Sequence, residues 1–196
     1  MATLAATLGA ADAHLLSGAR LFREGRFEQA YVEFRVAERL GAGGEAAWYA
    51  AASLEKLDRH EEALEAFAKA AQAAPAANDA LLDYYRALAC YGARLYLCAD
   101  RLLASVVSRS GPKVSGQAAA IRKDLAKLFA LEPGATAIDW YLDRGAAALE
   151  GGRAELAAEL FGEAEALGGL RKDRHRLAEA QRRKSEARER ATARAR

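Results

Sequence analysis

Histidine and cysteine are the residue types here best suited to hold a metal or act as nucleophiles, and the chain has few: His14, His60, His175, Cys90 and Cys98. The histidines are scattered, without acids or cysteines at spacings that would set several ligands on one helical face, so no metal site and no cofactor are expected. Cys90 and Cys98 lie near the junction of two helical segments, a spacing that fits neither a disulfide framework nor a zinc site. They read first as small hydrophobes of a core in a reduced, cytoplasmic setting, with a regulatory or metal-binding pair as the alternative. Glu61-Glu62 could serve as paired acids, but they fall in the first turn of a helix, where negative charge meets the helix dipole favourably. Tyr84-Tyr85 and Trp140-Tyr141 read as core aromatics rather than stacking boxes, and Gly151-Gly152 and Gly168-Gly169 as interhelical turns. With no phosphate loop, nucleophile elbow or kinase signature, the chain is expected not to be an enzyme.

The elements that carry these residues follow from composition. Hydrophobic residues make up 52% of the chain, enough for a continuous core, and much of that share is alanine. Leu, Glu, Arg and Lys are frequent and there are only three prolines, so strong helix formers dominate and an all-α fold is expected. No run approaches the roughly 20 apolar residues of a membrane span, so no membrane insertion is expected. Residues 1–10 lack a basic leader and a long leucine run, and read as an extension, either an extra helical turn or a frayed end.

Internal repetition is present. Gly25-Arg26-Phe27-Glu28-Gln29-Ala30 leads into Phe34 and Ala37, and Asp58-Arg59-His60-Glu61-Glu62-Ala63 leads into Phe67, Ala70 and Pro75. Gly152-Arg153-Ala154-Glu155-Leu156-Ala157 leads into Phe161 and Ala164. The preceding helices keep register: Gly18 and Leu21 before Ala30, Ala51 and Leu54 before Ala63, Gly145 and Ala148 before Ala157. Small residues at those places let two helices approach closely while the aromatic fills the space between hairpins.

This pattern resembles the tetratricopeptide repeat family, over residues 11–43, 44–77 and 138–170. Trp48 falls one place late for the family's tryptophan, and only the second copy keeps a closing proline, Pro75. The resemblance implies a helical-hairpin solenoid whose first helices line a concave groove, and it implies groove positions in each repeat. These are Asp12, Leu15, Leu16, Ala19, Phe22 and Arg23, then Glu45, Trp48, Tyr49, Ala52, Glu55 and Lys56. A count from Asn78 adds Asp79, Leu82, Asp83, Arg86, Ala89 and Cys90. The places by which some members clamp a carboxylate tail hold Leu15, Ala19, Tyr49, Asp79 and Asp83 here, so that clamp is absent. An apolar centre with a charged rim suits a partner's peptide or helix, with Trp48 and Tyr49 as the leading anchors.

Between the second and last copies the register breaks. Residues 78–137 read as an irregular middle of three helices, near 78–91, 94–108 and 115–131, the last two separated by Ser108-Arg109-Ser110-Gly111-Pro112. Leu131-Glu132-Pro133-Gly134 resembles a repeat terminus. Either a long third hairpin plus an odd helix or the reverse order satisfies the spacing. Residues 171–196 carry eleven Lys and Arg against four Asp and Glu, which leaves 18 against 23 in residues 1–170. The basic stretch, including Arg182, Arg183 and Lys184, reads at its start as a capping helix and beyond Leu177, with only alanines to bury, as a polar helix or a disordered tail. The expected role is a protein-binding scaffold or adaptor, with a homo-oligomer possible through an exposed hairpin. Nucleic-acid or acidic-surface binding through the tail is the alternative, disfavoured by interrupting acids and missing aromatics.

Overall fold

Alanine-rich segments separated by short polar turns fold, in a computed structural model that describes residues 2–73, 79–130 and 135–194, as an all-α array of ten helices among those residues. In order these are α1 (Ala2–Arg23), α2 (Phe27–Arg39), α3 (Gly43–Lys56), α4 (His60–Ala73), α5 (Ala80–Gly92), α6 (Tyr96–Arg109), α7 (Pro112–Ala130), α8 (Ala135–Glu150), α9 (Ala154–Arg171) and α10 (Arg174–Arg194). The chain divides into two units, Met1–Ala89 and Cys90–Arg196, with the boundary inside α5. Neighbouring helices pack as pairs: α1 on α2, α2 on α3 and α3 on α4 in the first unit; α6 on α7, α8 on α9 and α9 on α10 in the second, where α9 also meets α6. Among the described residues no helix is long and apolar enough to cross a membrane. Pro75, Asn78 and Leu131–Gly134 lie outside the described residues.

Among the described residues one turn is used six times. Arg26 N–H donates to the Leu21 carbonyl, Ala42 to Ala37, Arg59 to Leu54, Leu95 to Cys90, Arg153 to Ala148 and Asp173 to Gly168. Each turn has a left-handed residue just before the donor, at Gly25, Gly41, Asp58, Arg94, Gly152 and Lys172. This is the Schellman stop, which satisfies the last carbonyls of one helix while reversing the chain into the next. Glycine adopts that backbone without cost; Asp58, Arg94 and Lys172 hold it against the clash of a Cβ.

The turn at Leu95 exposes a repeat that was not legible in the sequence. Counting from Leu95 as from Arg26, the small–aromatic–small positions become Ala99, Leu103 and Val106, all fully buried, and the preceding pair becomes Ala87 and Cys90, also fully buried. Leucine and valine stand where the other copies carry phenylalanine and alanine. Packing explains the recurring pairs. A Cβ placed on Gly18 would sit 2.7 Å from the Phe34 ring, and one on Gly145 would sit 2.5 Å from Phe161. The ring occupies the volume that a side chain on the facing helix would need. The break before α7 is shorter than expected: Pro112 is its first residue, where a missing N–H costs nothing.

The basic end is an ordered helix. Ala180, Ala187 and Ala191 are buried, and with Leu177 and Lys184 they recur at alternating three- and four-residue steps, a continuous seam along α10. Small side chains there bring α10 so near α9 that a Cβ on Gly168 would lie 3.1 Å from the Leu177 backbone. Arg176 clamps Asp139 of α8 at 2.7 Å and 2.8 Å while holding Asp173 at 3.0 Å, and Lys184 reaches Glu165 at 2.7 Å. The alanines and Lys184 beyond Leu177, read from sequence as a polar helix or a disordered tail, therefore pack on the last hairpin.

Candidate functional site

The first helices of the first unit leave an open cleft with a volume of about 540 Å³, within the roughly 300–1,000 Å³ of ligand pockets. Leu15, Leu16, Ala19, Phe22 and Arg23 come from α1; Glu45, Tyr49 and Lys56 from α3; Leu81 and Tyr85 from α5; Phe27 closes one end. An edge-to-face aromatic network sets the floor: Phe22 lies 5.3 Å from Phe27, 6.4 Å from Tyr49 and 5.6 Å from Tyr85, centroid to centroid. Tyr49 is fixed from behind by stacking on Phe34 at 5.4 Å, and Phe34 is itself pinned against Gly18. The motif that builds the hairpin thus also holds the cleft's central ring.

The rim is charged. Lys56 Nζ stands 5.4 Å from the Tyr85 ring centre, a cation–π contact that leaves its charge at the edge of the apolar floor. Arg23 is exposed, its Nε donating to the Ala19 carbonyl at 3.3 Å, and exposed Glu45 supplies the opposite charge from the first turn of α3. Burial, with help from Asp79 and Glu45, raises the Tyr49 hydroxyl above its usual range, and burial with Glu55 raises that of Tyr85. Both phenols stay protonated and can donate hydrogen bonds at the cleft.

Of the groove positions expected from sequence, the structure brings together Leu15, Leu16, Ala19, Phe22, Arg23, Glu45, Tyr49 and Lys56. Asp12 is exposed on α1 but outside the lining. Trp48 is corrected: it is 4% exposed, with its ring 5.6 Å from that of Phe67, in the seam of α3 and α4. Contact with the Phe67 ring of α4 turns Trp48 away from the cleft that Tyr49 lines. Glu55 and Leu82 are also buried rather than exposed in the cleft, and Asp83 and Arg86 are half-buried outside its lining. Leu81 and Tyr85 take their place on α5. A signal for them was present, because the first two copies start 33 residues apart and the same step from Gly44 reaches residue 77, one place earlier than Asn78. Of the tail residues, Arg182 is exposed, Arg183 pairs with Glu179 at 2.7 Å and Lys184 is spent on Glu165.

Two buried carboxyls were not singled out by sequence as chemistry. Burial is the main cause that pushes Glu55 up to about 7, opposed by Lys56 and reinforced by Asp58. Glu163 of α9 is likewise held at about 7 by burial, against the pull of two backbone N–H groups. Those groups belong to Leu97, at 2.6 Å from Oε1, and Cys98, at 3.0 Å from Oε2, in the first turn of α6. Glu163 therefore caps, from 65 and 66 residues away, a helix whose own N-cap residue Leu95 offers no side-chain bond. Beside it the Tyr141 hydroxyl donates to the Arg94 carbonyl, which ties α8 to the preceding turn. Glu163 and Tyr141 hold helix ends, and a perturbed carboxyl engaged as Glu163 is has a structural geometry.

No family model and no curated protein matches the chain.

Proposed function

We propose that the chain is a tetratricopeptide-like repeat protein that binds, without catalysis, a short segment of a partner protein in the cleft of its first unit. The observation that carries this reading is the cleft itself, an apolar floor of converging aromatics with charge confined to its rim. A floor of Phe22, Tyr49 and Tyr85 rewards burial of one large apolar side chain, the usual source of hot-spot energy. Arg23 and Lys56 select an acidic residue on one flank of that anchor, and Glu45 a basic one on another. The occupant is therefore a peptide with an aromatic or leucine anchor between opposite charges.

Selection from a displayed random-peptide library on the full chain tests this. Leu16 lines the cleft yet is 71% exposed, so Leu16→Glu places charge at the mouth without disturbing the core. The expected pool converges on an apolar anchor with flanking charges and is lost on the variant. A pool that Leu16→Glu leaves unchanged would overturn the proposal, and salt-sensitive retention of nucleic acid in its place would move the function to the basic surface of α10.

A further inference from the structure

We propose that Cys90 and Cys98 form a redox couple that closes to an intramolecular disulfide when a small peroxide reaches it. Their Sγ atoms lie 2.6 Å apart and both are thiols. Reaching the ~2.05 Å of a sulfur–sulfur bond takes roughly half an ångström of movement. The pairing follows from the turn: each cysteine lies four residues from Arg94, whose left-handed backbone reverses the chain, and the Leu95 N–H bond to the Cys90 carbonyl locks that reversal at 2.8 Å. Glu163 grips the N–H groups of Leu97 and Cys98 from α9, so the Cys98 side of the pair is fixed by tertiary structure as well.

Packing alone does not call for two sulfurs here. In the other turns of this kind the place of Cys90 is filled by Leu21, Ala37, Leu54, Ala148 and Gly168, and the place of Cys98 by Gln29, Glu45, Glu62, Leu156 and Arg176. The turn at Leu95 alone among these sets two groups that can bond covalently opposite each other. Cys98 is 7% exposed and Cys90 is fully buried, so a small oxidant meets Cys98 first. Its sulfur attacks one peroxide oxygen, breaking the O–O bond and leaving a sulfenic acid and one water. The Cys90 sulfur then attacks the Cys98 sulfur; the S–S bond forms, the S–O bond breaks and a second water leaves. The two electrons given up by the thiols are those that reduce the peroxide. The product ties the last turn of α5 to the first turn of α6, and the short closed loop is expected to raise the thermal midpoint by roughly 5 °C.

The test treats the native full-length chain with hydrogen peroxide, alkylates remaining thiols under denaturing conditions and digests with trypsin without reduction. Cleavage at Arg86, Arg94 and Arg101 separates the cysteines into peptides 87–94 and 95–101. The expected result is that these peptides are recovered joined and are released by dithiothreitol, with an intact mass lower by two hydrogens for a single chain. Recovery of both peptides alkylated, or carrying sulfinic or sulfonic acids, would overturn the proposal. So would a cross-link that joins labelled to unlabelled chains in a mixture.

Discussion

Replacing Glu163 by glutamine is expected to flatten the fall of stability that the wild-type chain shows between about pH 4.5 and about pH 7. The carboxyl is 3% exposed and burial raises it from 4.5 to about 7, so the folded chain binds this proton more tightly than the unfolded chain does. Stability is then fullest below the unfolded value and is lost as pH rises through the folded one. At ~1.4 kcal/mol for each tenfold change, the whole span is worth about 3 kcal/mol. The variant cannot ionise, but its amide presents one acceptor where Leu97 and Cys98 offer two donors, a loss of about 1–3 kcal/mol that does not vary with pH. Urea unfolding followed by far-ultraviolet circular dichroism, at several values between about pH 4.5 and about pH 8, gives the difference between the two proteins. Because Glu55 shifts in the same direction and is present in both, its contribution cancels. The wild type is expected to lose about 3 kcal/mol relative to the variant across the window. Parallel curves would refute the reasoning. A wild type that instead gains on the variant would show that the two N–H bonds outweigh burial and that Glu163 is an ordinary capping carboxylate.

Other consequences follow from the same geometry. Gly18→Ala is expected to cost about 1–3 kcal/mol by driving a methyl into Phe34, whereas Gly116→Ala, in open space within α7, is expected to gain about 0.5–1 kcal/mol; chemical denaturation separates them. Lys172→Gly relieves a left-handed backbone at φ 58° and is expected to stabilise the chain by about 0.5–1 kcal/mol in the same assay. Glu55 Oε2 accepts no hydrogen bond among the described residues, so Glu55→Gln is expected to raise the thermal midpoint near about pH 8, where the carboxyl is ionised, and to leave it nearly unchanged near about pH 5. Leu16→Glu is expected to keep the wild-type midpoint and helicity while abolishing peptide retention in a pull-down.

What the sequence disclosed and what it hid have separate physical causes. The pairing of Gly18 with Phe34 and of Gly145 with Phe161 was legible because it is steric, and only a small residue tolerates a ring at that approach. Helix ends were legible within a few residues, since Gly25, Gly152 and Pro112 punctuate the chain. The copy at Ala99 was hidden because Leu103 replaces the aromatic and Arg94 holds a backbone that glycine usually signals. Trp48 was misread because two adjacent aromatics on one helix carry no sign of which is turned inward; contact with Phe67 decides it. The cap by Glu163 has no local signature at all, since its partners lie 65 and 66 residues away. The cysteine pair was readable in principle, because two residues equally spaced from a tight turn face each other across it. The order of α10 rests on alanines that look too small to matter until their spacing is set against Gly168.

Binding in the first-unit cleft is tested most directly by nuclear magnetic resonance of the labelled full chain titrated with a selected peptide. The expected result is that amide shifts concentrate at Leu16, Phe22, Arg23, Tyr49, Leu81 and Tyr85 and vanish in Leu16→Glu. Shifts confined to Arg174–Arg194, or unaltered by the substitution, would contradict it.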